Sequence, residues 1–346
     1  MNDVELLSGL AQRVRDEVQR ATPAGPVALL DFPNYGNPGD SAIWLGALSC
    51  LSSLGFAPPV YTSESRTFDE RMLRRALPAG TILLTGGGNL GDLWPEAQLF
   101  RERVLRAFPD HAIVQLPQTI HFSDPTMLAR ARSAFRAHPN FTVLVRDARS
   151  LRTATDYLEC RAALSPDLAF ALAPGTEPAL APERTGTRAD TLHLLRKDHE
   201  SRGLEALDAR GSVDWTTDDP RPITLFARRL GDYLIAARSA REPSLGERAA
   251  QQTLAACYTS LARHRLRRGC RLLRSSRVIV TDRLHGHVIS LLLGIPHIVL
   301  GDRHGKLHGF VDRWTAAGSL VRWANAPSEV PGLTRELLGL DQARGG

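Results

Sequence analysis

Short apolar segments alternate with longer amphipathic ones along most of this chain, and no other feature constrains its fold as strongly. The predicted strands of the first half are residues 27–32, 60–63, 81–85, 111–116 and 141–147. The pattern returns in the second half, with predicted strands at 191–198, 277–282 and 297–302. Strand–helix–strand units at this spacing build parallel sheets with helices on both faces. The sequence therefore predicts an α/β fold of two Rossmann-like, doubly wound domains.

A stretch rich in Pro, Gly, Thr and Glu, residues 173–190, separates the two halves. It has no apolar period, which is typical of a linker. We therefore expect an N-terminal domain at residues 1–172 and a C-terminal domain at residues 191–346, and the length of 346 residues also favours two domains. Ligands of such sheets bind at the carboxyl ends of the strands, so the expected site is a cleft between the domains.

Composition restricts the functional class without choosing a substrate. Lys and Arg number 43 against 37 Asp and Glu, and the net charge of +6 favours anionic partners. The four cysteines form no C-x-x-C pair, which argues against a zinc ribbon and a disulfide framework. The N-terminus lacks a signal-peptide pattern, and the longest apolar run, residues 288–300, is broken by Gly294 and Pro296. We expect a cytoplasmic protein that binds no nucleic acid.

The first loop with candidate binding residues follows the strand at 27–32 and leads into a predicted helix. Its glycines let the backbone turn tightly and approach a ligand, while the helix N-terminus presents free N–H groups. A plain tight turn is the alternative. The candidate substrate-binding residues of this loop are Asn34, Gly36, Asn37, Gly39 and Asp40.

A second glycine-rich loop, residues 85–92, matches the dinucleotide-binding pattern G-x-G-x-x-G. It follows the third strand rather than the first, and no acidic residue ends the next strand, so a dinucleotide site is disfavoured. We interpret the loop as a ligand-facing nest or a close-packing turn. Its candidate substrate-binding residues are Gly87, Gly88 and Asn89.

Charged residues follow several of the other strands. Arg146 comes at the end of one strand, where its guanidinium group could bind a carboxylate or phosphate or could pair within the loop. Asp167 adds a carboxylate at the domain junction, and Arg196 ends the first strand of the second half. All three lie where a doubly wound sheet places its ligand.

The densest cluster is Thr-Asp-Arg-Leu-His-Gly-His at residues 281–287, after a strand and at the start of a helix. Arg283 and His285 at a helix N-terminus predict an anion site, and a histidine also exchanges protons near neutral pH. Lys306, after the next strand, adds a cation to the same expected pocket. The histidines of residues 285–308 have no acidic third ligand at metal-site spacing, so no metal is predicted.

Six arginines crowd the end of a long helix predicted at residues 245–274. They lie on more than one helical face, which is typical of a solvated surface, while anionic lipid is the alternative partner. A peripheral contact with the inner face of a membrane therefore stays open. The six residues are Arg263, Arg265, Arg267, Arg268, Arg271 and Arg274.

Taken in order, these loops resemble those of the polysaccharide pyruvyl transferase family. The matching segments span residues 27–325 and are NYGNPGDSAI, LTGGGNLGDLW, VRDARSL, SPDLAF, LLRKDHE, VTDRLHGHVISLLLGIP and GKLHGFVDRW. The most specific of them is DRLHGH followed by LLLGIP. The resemblance implies a GT-B-like arrangement of the two domains, with the acceptor on the N-terminal side and the donor on the C-terminal side.

The resemblance also implies an activity, which is transfer of pyruvate from phosphoenolpyruvate onto two hydroxyls of a sugar, glycan or lipid-linked sugar as a ketal. It implies no cofactor, and it assigns the active-site arginine to Arg146 and the active-site histidine to His285. We expect His285 to act as general acid/base, with Asp167 as a second such group. The cations expected to line the crevice with positive charge are Arg146, Arg196, Arg283 and Lys306.

Two other functions stay open, and the sequence does not predict the oligomeric state. A GT-B glycosyltransferase would use a nucleotide-sugar donor, but the positions eight residues after His285 and His287 hold Leu293 and Ile295 in place of the expected acid. A non-catalytic anion-binding protein is the second alternative, because a fold does not prove an activity.

Overall fold

Two parallel β-sheets covered by helices make up the computed structural model, which confirms the predicted α/β class. The structure describes residues 2–172, 177–183, 188–198, 201–202, 204, 211–216, 222–236, 245–302 and 305–340. The predicted linker lies partly outside these ranges. Within them, each helix is too short or too polar to cross a lipid bilayer.

The first half of the chain alternates strands and helices. Its elements are α1 (Asp3–Ala21), β1 (Val27–Leu30), α2 (Pro38–Ser53), β2 (Tyr61–Ser63), α3 (Glu70–Ala76), β3 (Thr81–Leu84), β4 (Gly87–Gly91), α4 (Pro95–Ala107), β5 (Ala112–His121), α5 (Pro125–Ala137), β6 (Phe141–Val145), α6 (Ala148–Arg152) and β7 (Arg161–Leu164). The strands pair in parallel in the order β2-β1-β3-β5-β6-β7, with β4 beside β5. The central strands β1 and β3 are buried along their whole length, as their continuous apolar runs predict.

The second half builds a smaller sheet. Its elements are β8 (Ala189–Leu194), α7 (Pro222–Ala236), α8 (Leu245–Arg274), β9 (Ser276–Thr281), α9 (Leu284–Leu292), β10 (His297–Leu300), α10 (Lys306–Trp314), β11 (Val321–Ala324) and α11 (Val330–Leu337). The four strands are parallel in the order β11-β10-β9-β8. The long helix α8 has its predicted bounds, whereas α7, β11 and α11 were not predicted from the sequence.

The glycine-rich segment after β3 differs from its prediction as a nest or turn. It forms β4, a short strand paired with the end of β5. Gly91 has a φ of 131°, and a β-carbon there would lie 1.7 Å from the carbonyl oxygen of His121. The close approach of the two backbones therefore requires glycine. Because the segment has no β-branched residue, its composition did not indicate a strand.

Helices α2 and α8 pack together within a large apolar core that includes residues of both halves, and a second, smaller apolar cluster lies on the second-half sheet. A β-carbon at Gly269 of α8 would lie 2.7 Å from Cβ of Pro38 at the start of α2, so the helices touch there. This contact positions the N-terminus of α2 against the second half of the chain.

The expectation of a solvated surface holds for three of the six arginines at the end of α8, since the side chains of Arg263, Arg267 and Arg271 reach solvent, and it is wrong for the other three. Arg265 is only 1% exposed and donates to the carbonyl oxygen of Pro33 at 3.1 Å. Arg268 donates to the carbonyl oxygen of Gly36, and the buried Arg274 donates to that of Leu180. Arg265 and Arg268 therefore hold the loop after β1 against α8, and Arg274 holds the segment around Leu180, so these three charges are used inside the molecule.

Candidate active site

A cavity of about 570 Å³ opens where strands of both sheets end. The first half contributes the loop after β1, the start of β4 and the residue after β6, and the second half contributes residues after β8, β9 and β10. The structure brings nine of the predicted site residues into this lining, namely Asn37, Asp40, Gly87, Gly88, Asn89, Arg146, Arg196, Arg283 and His285.

Arg146 and His285 meet at Asp167. The Arg146 side chain is 3% exposed, and its Nη1 donates to Oδ2 of Asp167 at 2.5 Å. Its Nε and Nη2 donate to Oγ1 of Thr119 at 3.2 and 3.0 Å. Nε2 of His285 lies 3.5 Å from the same Oδ2 atom of Asp167. One carboxylate oxygen therefore faces both the guanidinium group and the imidazole ring.

Asp167 is fully buried and ionised. Burial opposes its ionisation, but the charges of His285 and Arg146 and a hydrogen bond from the Ala169 amide more than offset that cost. The pKa of Asp167 therefore lies well below its ordinary value. A carboxyl group with so low a pKa carries no proton near neutrality. Its contacts fit a residue that positions His285 and Arg146, and its low pKa does not favour the second acid/base role predicted from the sequence.

Gly39, in the first turn of α2, makes room for the His285 ring. A β-carbon at this position would lie 2.5 Å from Cβ and Cγ of His285 and 2.6 Å from its Nδ1. Any side chain here would displace the ring or the helix. Gly39 therefore contributes through its lack of a side chain, and not as the substrate-binding residue that was expected.

The second half supplies two guanidinium groups, and both have carboxylate partners. Nη2 of Arg283 lies 2.6 Å from Oδ2 of Asp214 and 3.4 Å from Oδ2 of Asp198. Nε and Nη2 of Arg196 each donate to the Asp198 carboxylate at 3.0 Å. The Arg196 amide donates to Asp282 at 2.9 Å. These carboxylates hold both guanidinium groups in fixed orientations beside the cavity.

The second histidine of the DRLHGH segment is structural. Nδ1 of His287 lies 2.8 Å from Nε2 of His297, and its Nε2 lies 2.9 Å from Oγ1 of Thr315. Nδ1 of His297 lies 2.8 Å from the carbonyl oxygen of Ile295. Burial lowers the pKa of both rings, that of His297 to about 4, so both are neutral near pH 7. This chain of contacts fixes α9, and with it the position of His285.

The first-half wall of the cavity is built around the backbone of β4. A β-carbon at Gly88 would lie 3.5 Å from Nη2 of Arg146, so this backbone borders the guanidinium group. The side-chain oxygen of Asn89 accepts from Nε2 of Gln118 at 2.8 Å and from Nη2 of Arg101 at 3.1 Å. Asn89 is therefore held in one orientation at the cavity wall.

Asn37 and Asp40 complete this wall at the start of α2. Oδ1 of Asn37 accepts from the Gly39 amide at 3.0 Å, and its Nδ2 donates to Oδ2 of Asp40 at 2.7 Å. Asn37 is thus the N-cap of the helix, and it also fixes the Asp40 carboxylate.

Besides Gly39, three expected binding residues are not among the described lining residues. Asn34 donates to Glu64 at 3.2 Å and accepts from Arg265 at 3.3 Å. Like Gly36, whose carbonyl oxygen contacts α8, it serves to hold the loop in place. Lys306 begins α10, but its side chain lies outside the described part of the chain.

Sequence reasoning missed Asp31, the residue that directly follows β1. It lines the cavity and has a φ of 67°, in the left-handed region that non-glycine residues rarely adopt. Burial raises its pKa to about 6, with help from Asp40 and Glu64 and against the influence of Arg101. The available signal was its position, since the first residues after buried strands are the usual site residues of this fold.

Two exposed aromatic rings at the cavity were also missed. Tyr35 is 52% exposed and Trp94 is 41% exposed, and both line the cavity. Such rings present flat apolar faces beside a polar edge. Their sequence context does not distinguish them from ordinary surface residues.

The charge of the described lining corrects the expectation of a positively lined crevice. Its guanidinium groups are those of Arg146, Arg196 and Arg283, and its carboxylates are Asp31, Asp40, Glu96, Asp198, Asp282 and Asp302. The carboxylates thus outnumber the arginines. They are also divided in space, because Asp31 and Asp40 belong to the first-half wall while Asp198 pairs with the second-half arginines.

Comparison with known proteins agrees with this assembly of loops. The chain is 31% identical over 296 residues to pyruvyl transferase 1 of Schizosaccharomyces pombe, which covers 83% of this chain and 69% of that protein. It is 27% identical over 341 residues to EpsO of Bacillus subtilis, named as a candidate pyruvyl transferase, with 96% and 99% covered.

A solved structure and a family profile complete the comparison. A Klebsiella pneumoniae protein described as uncharacterised has a similar fold, with a TM-score of 0.58 at 15% identity, covering 92% of this chain and 99% of that one. The profile described as Polysaccharide pyruvyl transferase matches residues 37–304, which include Arg146 and His285. Because this match spans most of the sequence, the chain belongs to the polysaccharide pyruvyl transferase family.

Proposed function

We propose that this protein transfers pyruvate from phosphoenolpyruvate onto two hydroxyl groups of a sugar or glycan precursor and forms a ketal. The observation that carries the proposal is the meeting of Arg146 and His285 at one oxygen of Asp167, at 2.5 and 3.5 Å. It joins a group that binds anions to a group that exchanges protons. Family membership supports pyruvyl transfer in general, and the donor and the ketal belong to the proposal.

The donor is proposed to bind among the arginines. Phosphoenolpyruvate carries a carboxylate and a phosphate, so it requires cations fixed at two ends. Arg146 reaches the cavity from the first half, and Arg196 and Arg283 reach it from the second. Their carboxylate partners keep the planar groups oriented, and an incoming phosphate can share those hydrogen-bond donors. Lys306, at the start of α10, stays a proposed fourth cation.

His285 is the proposed general acid/base. Ketal formation adds a proton to the methylene carbon of phosphoenolpyruvate, which leaves positive charge on C2. Because Nε2 of His285 is buried beside Asp167, we assign this transfer to Nδ1. The ionised Asp167 balances the charge of the protonated ring and holds its orientation. Assistance of this kind contributes about 10²–10⁴ in rate.

The acceptor is proposed to bind against the first-half wall. Asp40 and Asn89 present hydrogen-bonding groups there, in orientations set by Asn37 and Gln118. The exposed rings of Tyr35 and Trp94 supply flat faces for the apolar side of a sugar ring. A wall of this kind suits a polyhydroxylated ring, since it offers both contact types at once.

The arrangement of the two domains is also part of the proposal. We assign residues 1–172 to the acceptor side and residues 191–346 to the donor side of a GT-B-like pair of domains. The supply of cavity residues from strand ends of both sheets supports this arrangement, with Arg146 as the first-half group that reaches the donor. We further propose a cytoplasmic location, with a lipid-linked sugar at the inner face of a membrane as one candidate acceptor.

The test is incubation of the purified protein with phosphoenolpyruvate and a panel of sugars that carry neighbouring hydroxyls. We expect phosphate release that depends on both substrates and, by mass spectrometry, a sugar that has gained one pyruvylidene group. Thermal stabilisation by nucleotide sugars but not by phosphoenolpyruvate would instead support the glycosyltransferase alternative.

A further inference from the structure

Asp31 lies in the cavity wall at the carboxyl end of β1, and the donor chemistry above does not use it. Its side chain faces Asn89, and its charged or titratable neighbours are Arg101 of α4, Asp40 of α2, Glu64 after β2 and Tyr35. Asn89 is adjacent in sequence to Gly88, which borders Arg146. The backbone of two consecutive residues of β4 therefore links the surroundings of Arg146 to those of Asp31.

The backbone at Asp31 is strained, and a side chain is nevertheless present. Its φ of 67° lies in the left-handed region, which is unfavourable for a non-glycine residue. Glycine would adopt this conformation without that cost, and Asp and Asn adopt it more readily than other residues. Strain of this kind clusters at functional sites, where it aims a side chain at a ligand.

The surroundings of Asp31 do not resemble those of a structural counterion. The neighbouring buried cation, Arg101, directs hydrogen bonds to neutral amides, with its Nε 2.5 Å from Gln115 and its Nη2 3.1 Å from Asn89. The cost of burying the carboxylate is therefore not fully offset, and the pKa of Asp31 rises to about 6. A carboxylate held in a tight ion pair has a lowered pKa, as Asp167 does.

We propose that Asp31 is the base that accepts the proton of the acceptor hydroxyl as the hydroxyl oxygen attacks C2 of the donor. The inference rests on the proposed function, because it takes phosphoenolpyruvate to be held at Arg146 and His285. It also selects the class of acceptor. The carboxylates of Asp31 and Asp40 on one wall repel an anionic sugar, so the acceptor is an uncharged sugar diol.

Bonds and protons balance in this reaction. Protonated His285 gives its proton to C3, the first hydroxyl oxygen bonds to the cationic C2, and the hydroxyl proton passes to Asp31. The bond between C2 and the phosphate oxygen then breaks, and the phosphate leaves with the proton from Asp31. The second hydroxyl oxygen bonds to C2 and returns its proton to His285. Both residues end in their starting states.

The proton affinity of Asp31 suits this role. With a pKa of about 6 it is ionised near neutral pH, and it accepts a proton more readily than a carboxylate at the ordinary value of 3.8. Protonation below pH 6 removes the base. The rate of product formation should therefore fall on the acid side.

The test compares the wild type with Asp31→Asn and Glu64→Gln in the assay with phosphoenolpyruvate and an uncharged sugar diol, across about pH 5–9. Asn tolerates the left-handed backbone and can still bond to Asn89. Glu64 is not among the lining residues, but its charge helps to raise the pKa of Asp31. Gln keeps a side-chain oxygen that can accept from Asn34, so Glu64→Gln is a matched control that removes a charge near the base and retains the contact of Asn34 with its loop.

We expect the kcat of Asp31→Asn to be about 10²–10⁴-fold lower than that of the wild type. The variant should bind phosphoenolpyruvate as tightly as the wild type in calorimetry, and its pH–rate profile should lack the acid limb near pH 6. Glu64→Gln should keep its turnover at high pH and move the acid limb to lower pH, because Asp31 then ionises more easily. Wild-type turnover in Asp31→Asn, loss of donor binding in that variant, or an unmoved limb in Glu64→Gln would each overturn the proposal.

Failure of the proposed function is distinguished by the wild type alone, which would then form no product from phosphoenolpyruvate. In that case nuclear magnetic resonance of isotope-labelled aspartate carboxyls still tests Asp31, whose signal is the one missing from Asp31→Asn. Titration near pH 6 and a shift on addition of an uncharged sugar diol are expected. Titration at the ordinary value, or no response to the diol, would overturn the role of Asp31.

Discussion

Asp31 and Asp167 are two carboxyl groups of one active-site region, and burial acts on both in the same direction while the balance of charges around them differs. Asp167 is buried behind the cavity, where His285 and Arg146 outweigh the cost of burial and lower its pKa. Asp31 lines the cavity, where burial and two negative neighbours raise its pKa to about 6. The difference teaches that residue type does not decide the role of a carboxylate here, because its neighbours do.

The two groups should therefore fail in different ways when they are changed. Asp167 acts through the residues that it holds, so its loss should disturb folding and the position of His285. Asp31 has no ion pair of the kind that joins Asp167 to Arg146 among the described residues, so its loss should affect chemistry and leave folding intact. Three variants separate these outcomes.

The largest effect is expected from His285→Ala, which removes the group through which Asp167 reaches the substrate. Product formation should fall about 10²–10⁴-fold, because proton transfer to the donor loses its catalyst. The fold should survive, since Asp167 keeps its ion pair with Arg146. Steady-state rates and circular dichroism measure the two effects. A folded variant within tenfold of the wild-type rate would remove His285 from the proposed chemistry.

Asp167→Asn should lower the free energy of unfolding by about 3–5 kcal/mol, because Arg146 is left as a buried charge without its partner. The lowered pKa of Asp167 also shows that its ionised form stabilises the folded state. This stabilisation is complete above the ordinary pKa of the group and is lost as pH falls through its folded-state pKa. Denaturant titration at neutral pH measures this loss.

Asp31→Asn is the matched control for the unfolding measurement on Asp167→Asn, and the expected change in the free energy of unfolding has the opposite sign. Because its pKa is raised, ionisation of Asp31 costs stability, and this cost develops as pH rises from 3.8 to about 6 and persists above it. Asp31→Asn should therefore be at least as stable as the wild type at pH 8. Equal losses of stability in the two variants would abolish the distinction between the carboxylates.

A smaller effect is expected from Gly39→Ala. The added methyl group would lie 2.5 Å from two atoms of His285, so the ring and the start of α2 must shift relative to each other. Displacement of a catalytic group by about 1 Å costs on the order of 10²-fold in rate. Gly9→Ala is the control, because a β-carbon there meets nothing within 4 Å. Similar rates for both variants would show that close packing on His285 is unimportant.

Much of the fold could be predicted because its signals are local. Apolar strands, amphipathic helices and turn residues follow the chain, and the rule that ligands bind after strands then selected Arg146, Arg196, Arg283 and His285. Asp31 obeys the same rule, but a single aspartate after a strand does not by itself indicate a raised pKa. That property depends on Asp40 and Glu64, which the fold brings near it.

The remaining differences depend on tertiary contacts that the sequence does not display. Arg283 pairs with Asp214, which is far from it in sequence. The sequence therefore did not indicate that this cavity arginine has a carboxylate partner. The polar sequence of its helix predicts that Arg265 lies on the surface, yet the residue is buried against Pro33. In both cases the partner, and not the residue itself, determines the environment.

The most direct test of the central claim follows the proton that His285 is proposed to deliver. The reaction is run in heavy water with phosphoenolpyruvate and an uncharged sugar diol, and the product is analysed by mass spectrometry and nuclear magnetic resonance. Because imidazole protons exchange with solvent, the account predicts a ketal whose new methyl group carries one deuterium. A product that keeps the methylene group as an enol ether, or a methyl group without deuterium, would contradict it.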